Sequence, residues 1–160
     1  EKIQSIISDM QHFIEVQPDG VGLAAPQIGH NYRIFVVAPR TFEYSGRQVA
    51  PEDTVFINPK IIKQSKKMDL LDEGCCSVRW MYGKVDRFRN TTITAYNLNG
   101  ELKTWNSGGL LSQLFQHEID HLDGILFCDK AIDLERMADE EIEKINSDRK
   151  KLEKEIHGKK

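Results

Sequence analysis

Apolar residues recur at helical spacing from the start of the chain, with Ile3, Ile6, Ile7, Met10, Phe13 and Ile14 on one stripe of a 3.6-residue repeat. The stripe stops before Pro18-Asp19-Gly20, a turn signal, so the pattern predicts an amphipathic first helix. Arg33 to Ala38, Thr54 to Ile62 and Thr91 to Leu98 are instead rich in valine and isoleucine, and Asn97 to Glu101 contains an Asn-Gly pair suited to a hairpin turn. These segments predict several mostly antiparallel strands. From Gly109 the helical period returns, with Leu110, Leu111, Leu114, Phe115, Ile119 and Leu122 in a strongly apolar helix that Asp123-Gly124 can close. After Asp133 a charged segment carries Leu134, Met137, Ile142, Ile145, Leu152 and Ile156 at helical intervals. Its acidic residues come early and Lys150-Lys151 late, as the helix dipole favours, so a C-terminal helix packed by one narrow face is expected. The sum is an α+β fold, antiparallel strands wrapped around a central helix, with an N-terminal helix and a C-terminal helix.

Composition narrows the class. A chain of 160 residues fits one compact domain, and no apolar run approaches the ~20 residues of a membrane span. A formal net charge of -3 offers no global attraction to nucleic acid or anionic lipid, although His157-Gly158-Lys159-Lys160 forms a small basic cluster. Three cysteines, Cys75, Cys76 and Cys128, are too few and too oddly placed for a disulfide framework, which points to a reducing compartment. The sequence opens at Glu1, already inside a helical pattern, so targeting is not readable from this end.

The central helix carries His117-Glu118-Ile119-Asp120-His121. A spacing of four residues puts both imidazoles on one face, one turn apart, where they can chelate a metal ion, and Glu118 beside them is close enough to act as a base. The plain alternative is a helix with two core or surface histidines. A catalytic metal usually takes three protein ligands, and Cys75 in Glu73-Gly74-Cys75-Cys76-Ser77 is the obvious third donor, its alternative role being a buried structural cysteine. Gly20-Val21-Gly22-Leu23-Ala24-Ala25-Pro26-Gln27 lets a backbone pass close to a ligand and ends in a glutamine that can donate hydrogen bonds, although a tight turn leading into a packed strand, with Gln27 on the surface, is the commoner explanation of such a string.

Taken together, these segments resemble the peptide deformylases, whose signature is a G-x-G-L-A-A-P-Q loop, an E-G-C-x-S strand and an H-E-x-D-H helix, in that order. The resemblance runs from the first helix to Ala131-Ile132 and includes Val85-Asp86-Arg87 and the run from Leu122 to Phe127. It implies a metallohydrolase that removes the formyl group from the N-terminal formylmethionine of nascent polypeptides. Residue by residue it implies Cys75, His117 and His121 as metal ligands, Glu118 as general acid and base, and Gln27 with the main-chain N–H of Cys76 as donors to the oxyanion. It also implies Gly20 and Gly22 along the substrate backbone, Leu114 in an apolar methionine pocket beside His117, and a Glu73–Arg87 pair that holds the cysteine strand.

The implied cofactor is one divalent metal ion, natively Fe(II), although a thiolate and two imidazoles also suit zinc, nickel or cobalt. The implied partners are formylmethionyl nascent peptides, with ribosome contact through the C-terminal helix and neither membrane nor direct nucleic-acid binding. The expected place is a bacterial-type cytoplasm, with an organelle left open. Residues 1–132 are expected to form the catalytic domain, without the segment the family carries before its first helix, and residues 133–160 a charged helical tail. Two departures fall inside the motifs: Arg79, followed by Trp80-Met81-Tyr82, stands where deformylases usually have proline, and Cys76 stands where many have leucine or isoleucine. The first bears on substrate preference, whereas the second leaves the required main-chain N–H in place.

Rival classes can be told apart by chemistry. A zinc endopeptidase usually draws its third ligand from a downstream His or Glu, and here only His157 and tail acids follow. A thiol hydrolase with Cys75 as nucleophile and His117 as base would be insensitive to chelators. A formyl-peptide-binding module with little turnover would release no formate.

Overall fold

The protein is described from a computed structural model that covers residues 1–158. Lys159 and Lys160 of the basic C-terminal cluster lie outside the described residues. Four helices are present among them: α1 (Lys2–Glu15), α2 (Pro39–Tyr44), α3 (Gly109–Leu122) and α4 (Asp139–His157). The strands are β1 (Gly22–Ala24), β2 (Ile34–Val37), β3 (Val55–Gln64), β4 (Met68–Gly74), β5 (Met81–Phe88), β6 (Asn90–Tyr96), β7 (Leu102–Gly108) and β8 (Ile132–Arg136). They form two antiparallel sheets, one of five strands in the order β1-β2-β3-β6-β7 and one of three in the order β4-β5-β8.

The larger sheet is covered on both faces, and the alternation of β2 shows why. Ile34 and Val36 point into a cluster with Ile6, Ile7, Met10 and Ile14 of α1, while Phe35 and Val37 point into a cluster with Leu111, Leu114, Phe115 and Ile119 of α3. A strand buried on both faces reads as an unbroken apolar run. Aromatic packing fixes the α3 side: Phe35 and Phe56 stack with centroids 4.5 Å apart, and Phe115 tilts against Phe56 at 5.1 Å. Helix α3 also packs against β5 of the smaller sheet, so strands surround it as expected. The turn from β6 to β7 uses Asn97 and Gly100, the latter at φ +76°, where glycine is favoured.

The C-terminal segment differs from its expectation. The helix begins at Asp139, and residues 132–136 form β8, which pairs with β5 through Tyr82↔Glu135 and Lys84↔Ile132. Ile132-Asp133-Leu134-Glu135 alternates apolar and acidic positions, a two-residue period that suits a strand, although all of β8 is exposed and its pairing with β5 is what holds it. On α4, Ile142, Ile145, Leu152 and Ile156 are half-buried, so its apolar face is only partly covered.

Candidate functional site

Three separate elements converge at one end of α3. The helix brings His117 and His121, one turn apart, with ring centroids 4.7 Å from each other. Strand β4 ends at Gly74 and delivers Cys75 into a tight turn closed by Val78 N–H donating to the Cys75 carbonyl at 3.1 Å. Strand β1 runs into a 3-10 turn, Ala25–Ile28, that carries Gln27. Cys75 Sγ lies 3.2 Å from His121 Nε2, which lies 3.1 Å from His117 Nε2, and the three donor atoms fall within 4.8 Å of one another.

A buried ion-pair chain orients this group. Glu73 receives Arg87 on both carboxylate oxygens, at 2.7 and 2.9 Å, and its Oε2 lies 2.9 Å from His117 Nδ1. Two guanidinium bonds drive the Glu73 pKa down to about 2 even though burial opposes this, so Glu73 is an acceptor only. His117 therefore donates through Nδ1, which aims Nε2 at His121 and Cys75 as the nitrogen a cation would take by displacing its proton. Arg87 continues to Asp120 at 2.6 Å, and Asp120 to Lys130 at 2.8 Å.

The electrostatics of the cluster call for a positive charge. Burial pulls His117 down, but hydrogen bonds to Cys75 and Glu73 and the nearby carboxylates outweigh it and raise the pKa to about 10. The Cys75 thiol is held far below its ordinary value, first by the Cys76 S–H donating to it and then by the histidines, against burial. The Cys76 thiol is pushed the other way, up, by its hydrogen bond to Cys75 and by burial. A thiol held low and two imidazole nitrogens, His121 Nε2 lying 3.2 Å from Cys75 Sγ and 3.1 Å from His117 Nε2 and all three atoms within 4.8 Å of one another, are a donor set that one small cation can bridge. Three protein donors leave a further coordination position open, as catalytic sites require. The residues present fit a divalent metal ion.

Glu118 lies beside the cluster at 2% exposure, and its Oε2 has no hydrogen-bond partner among the described residues. Burial raises its pKa to about 7, with the histidine charges opposing and Cys75 and Glu73 adding to the rise. The Gln27 amide is fixed in orientation: Oε1 accepts the Ala24 N–H at 2.7 Å, which turns Nε2 toward Ser77 Oγ at 2.9 Å and toward the Cys75 and Cys76 sulfurs at 3.3 and 3.5 Å. Gly20, Gly22, Leu114, Glu118, Gln27, Cys75, Cys76 and His117 all line one cavity of about 500 Å³. Every site residue expected from the sequence thus stands in or directly behind this cavity. Asp120 was part of the motif without a role, and its contact with Arg87 emerges only from the fold; a carboxylate three residues after His117 on a buried helix was the available signal.

Two histidines one turn apart on a helix, a cysteine in the turn after β4 and the buried Glu118 beside them in one cavity are an arrangement suited to metal-dependent hydrolysis. A sequence model described as polypeptide deformylase matches residues 1–137. A peptide deformylase of Roseiflexus castenholzii is 42% identical over 139 residues, which cover 82% of this chain and 75% of that protein. The chloroplastic/mitochondrial peptide deformylase 1B of Arabidopsis thaliana is 34% identical over 96% of this chain and 52% of its own length. The crystal structure of a plant peptide deformylase superimposes with a TM-score of 0.68 at 33% identity, covering 99% of this chain and 80% of that one. The chain belongs to the polypeptide deformylase family, metal-dependent hydrolases that remove N-formyl groups from nascent polypeptides.

Proposed function

We propose that Cys75, His117 and His121 hold the metal ion and that Glu118 moves the proton in formyl-group hydrolysis. The convergence of those three donor atoms within 4.8 Å, beside a buried carboxyl, carries this reading. When bound, the ion supplies a Lewis acid that polarises the formyl carbonyl and acidifies water. Fe(II) is our assignment for the native ion, with zinc, nickel or cobalt as substitutes the same donors accept.

The chain's own residues supply the rest. Strand β1 is an edge strand of its sheet, so its open side, with Gly20 leading into Gly22, can pair with an extended peptide. Leu114 beside His117 lines the cavity and lends it an apolar wall for the methionine side chain. Gln27 Nε2 and the main-chain N–H of Cys76 donate to the formyl oxygen as negative charge collects there, each such donor being worth ~3 kcal/mol. Glu118, with a pKa of about 7, takes a proton from the attacking water and returns it to the leaving nitrogen. Glu73, held by Arg87, accepts from His117 Nδ1 and so orients the ring with Nε2 toward Cys75 and His121, where a metal ion would take it.

We further extend the catalytic unit past the expected boundary at 132 to residue 137, because β8 pairs with β5 and Met137 bonds to Trp80, and we assign the charged helix α4 beyond it as the site for ribosome contact. Nothing in this reading calls for direct nucleic-acid binding, and no helix among the described residues is long and apolar enough to cross a membrane. A bacterial-type cytoplasm is our assignment, with an organelle as the alternative that the plant relative supports. The test is formate release by the metal-loaded protein. Formylmethionyl peptides should be cleaved much faster than formylated peptides that begin with glycine or aspartate, and equal rates would remove the methionine pocket.

A further inference from the structure

Residues 19–22 and the stretch from Gly74 to Tyr82 both contribute lining to the cavity, and the Arg79 side chain reaches from the second to the first. Arg79 donates through Nη1 to Asp19 Oδ2 and through Nη2 to Gln17 Oε1, both at 2.7 Å, across a sequence separation of about 60 residues. Its guanidinium also lies 5.0 Å from the Trp80 ring centroid. Asp19, Arg79 and Trp80 all line the cavity, and among the described lining residues Arg79 is the one lysine or arginine. The partial exposure of the pair, 27% for Arg79 and 36% for Asp19, puts the contact at the cavity rim.

The two ends of this bridge differ in stiffness. The receiving wall is anchored from below, because Arg40 Nη2 takes the carbonyls of Gln17 and Gly20 at 2.5 Å each and that of Ile14 at 3.2 Å. Thr41 Oγ1 adds a bond to the Val21 carbonyl at 3.1 Å. The other wall is a turn with Trp80 at φ +63°, an unfavourable conformation for a residue with a side chain, tied back by Met137 N–H donating to the Trp80 carbonyl at 2.7 Å. Arg79 therefore fastens a strained turn to a fixed wall.

We propose that Arg79 is a specificity-determining residue, a clasp onto Asp19 and Gln17 that sets the width of the rim over which the peptide beyond the formylated methionine runs. The inference rests on the deformylase reading. A cavity of about 500 Å³ holds more than a formylmethionyl group, so later residues of the peptide lie toward the rim and meet the clasp, while the formyl end does not. A partly exposed ion pair contributes little to the stability of the fold, so its effect falls on the shape of the cleft.

The test compares the wild-type metal-loaded enzyme with Arg79→Ala, Asp19→Asn and the exchanged pair Asp19→Arg/Arg79→Asp on a formylmethionyl dipeptide and a formylmethionyl pentapeptide. The single variants should raise KM about fivefold for the pentapeptide only, with kcat and the dipeptide KM unchanged, and the exchanged pair should restore the pentapeptide KM at least in part. Wild-type KM for the pentapeptide should rise with salt, and that of Arg79→Ala should not. Equal shifts for both peptides, a fall in KM, or no shift at all would overturn the clasp. No formate from either peptide with the wild type would overturn the deformylase reading and this inference with it.

Discussion

A Cβ on Gly22 would lie 2.7 Å from Glu118 Oε1, closer than real side-chain carbons approach, and 2.8 Å from Leu114 Cδ1. The hydrogen atom at Gly22 is thus what lets a carboxyl on α3 reach the cavity past strand β1. Gly22→Ala should push Glu118 out of line and lower the turnover number of formate release by about 10- to 100-fold, since displacements near 1 Å can cost that much. Overpacking should cost the fold about 1–3 kcal/mol. Metal content should stay at the wild-type level. An unchanged turnover number in Gly22→Ala would show that Glu118 has room to spare.

Glu118→Gln separates proton transfer from packing. The carboxyl is buried with one oxygen unpartnered, and burial already lifts its pKa to about 7, so a neutral amide of the same shape fits the site at no loss of a hydrogen bond. Unfolding temperature and metal content should match the wild type or exceed it. Turnover should fall by at least ~100-fold, the usual contribution of general acid and base catalysis. Activity within a few fold of the wild type would assign the proton transfer elsewhere.

The parts of this molecule that were legible in the sequence are those whose signal is local. His117 and His121 share a face because four residues make about one helical turn, and that holds in any tertiary setting. The stripe of α1 was equally plain, since Ile6, Ile7, Met10 and Ile14 bury the same face. The hairpin of β4 and β5 left no comparable mark. Met68 and Leu70, the apolar residues at alternate positions of β4, are exposed, so the strand is held by pairing rather than by a buried face. Strand β8 was hidden for a related reason: its charged residues fitted the helical pattern of the tail, and only pairing with β5 makes it a strand. Contacts such as Arg79 with Asp19 depend on two walls meeting, which no spacing along the chain encodes.

Glu73→Gln probes the ion-pair chain behind the histidines. Glu73 and Arg87 are each 3% exposed, and Glu73 also accepts the His117 Nδ1–H. Removing the carboxylate leaves the buried guanidinium with only Asp120 as a charged partner and should cost about 3–5 kcal/mol of stability. The same change frees His117 to rotate or shift its tautomer, so metal affinity should drop about 10- to 100-fold. Chemical unfolding of the metal-free protein and competition with a chelator measure the two effects separately. Loss of stability with unchanged affinity would mean that Glu73 supports the fold and not the ligand.

Oxidation should expose the link between the metal and the adjacent cysteines. Gln27 Nε2 lies 3.3 Å from Cys75 Sγ and 3.5 Å from Cys76 Sγ, so both sulfurs stand on one side of the turn, and both residues are half-buried rather than sealed. The Cys75 thiol is held low by the Cys76 S–H and the Cys76 thiol is pushed up by Cys75, so Cys75 is the more readily ionised of the pair. Thiolates oxidise first, so peroxide should carry Cys75 along the series from sulfenic to sulfonic acid, with a disulfide to Cys76 as the branch that thiols reverse. The iron form should lose activity faster than the nickel form, because ferrous iron is itself oxidised. Mass analysis of the peptide containing Cys75 and Cys76 should show added oxygen or loss of two hydrogens in step with inactivation, and thiol treatment should recover only the second product. Equal inactivation of the iron and nickel forms with no mass change on this peptide would clear both cysteines, and would place the damage at another residue.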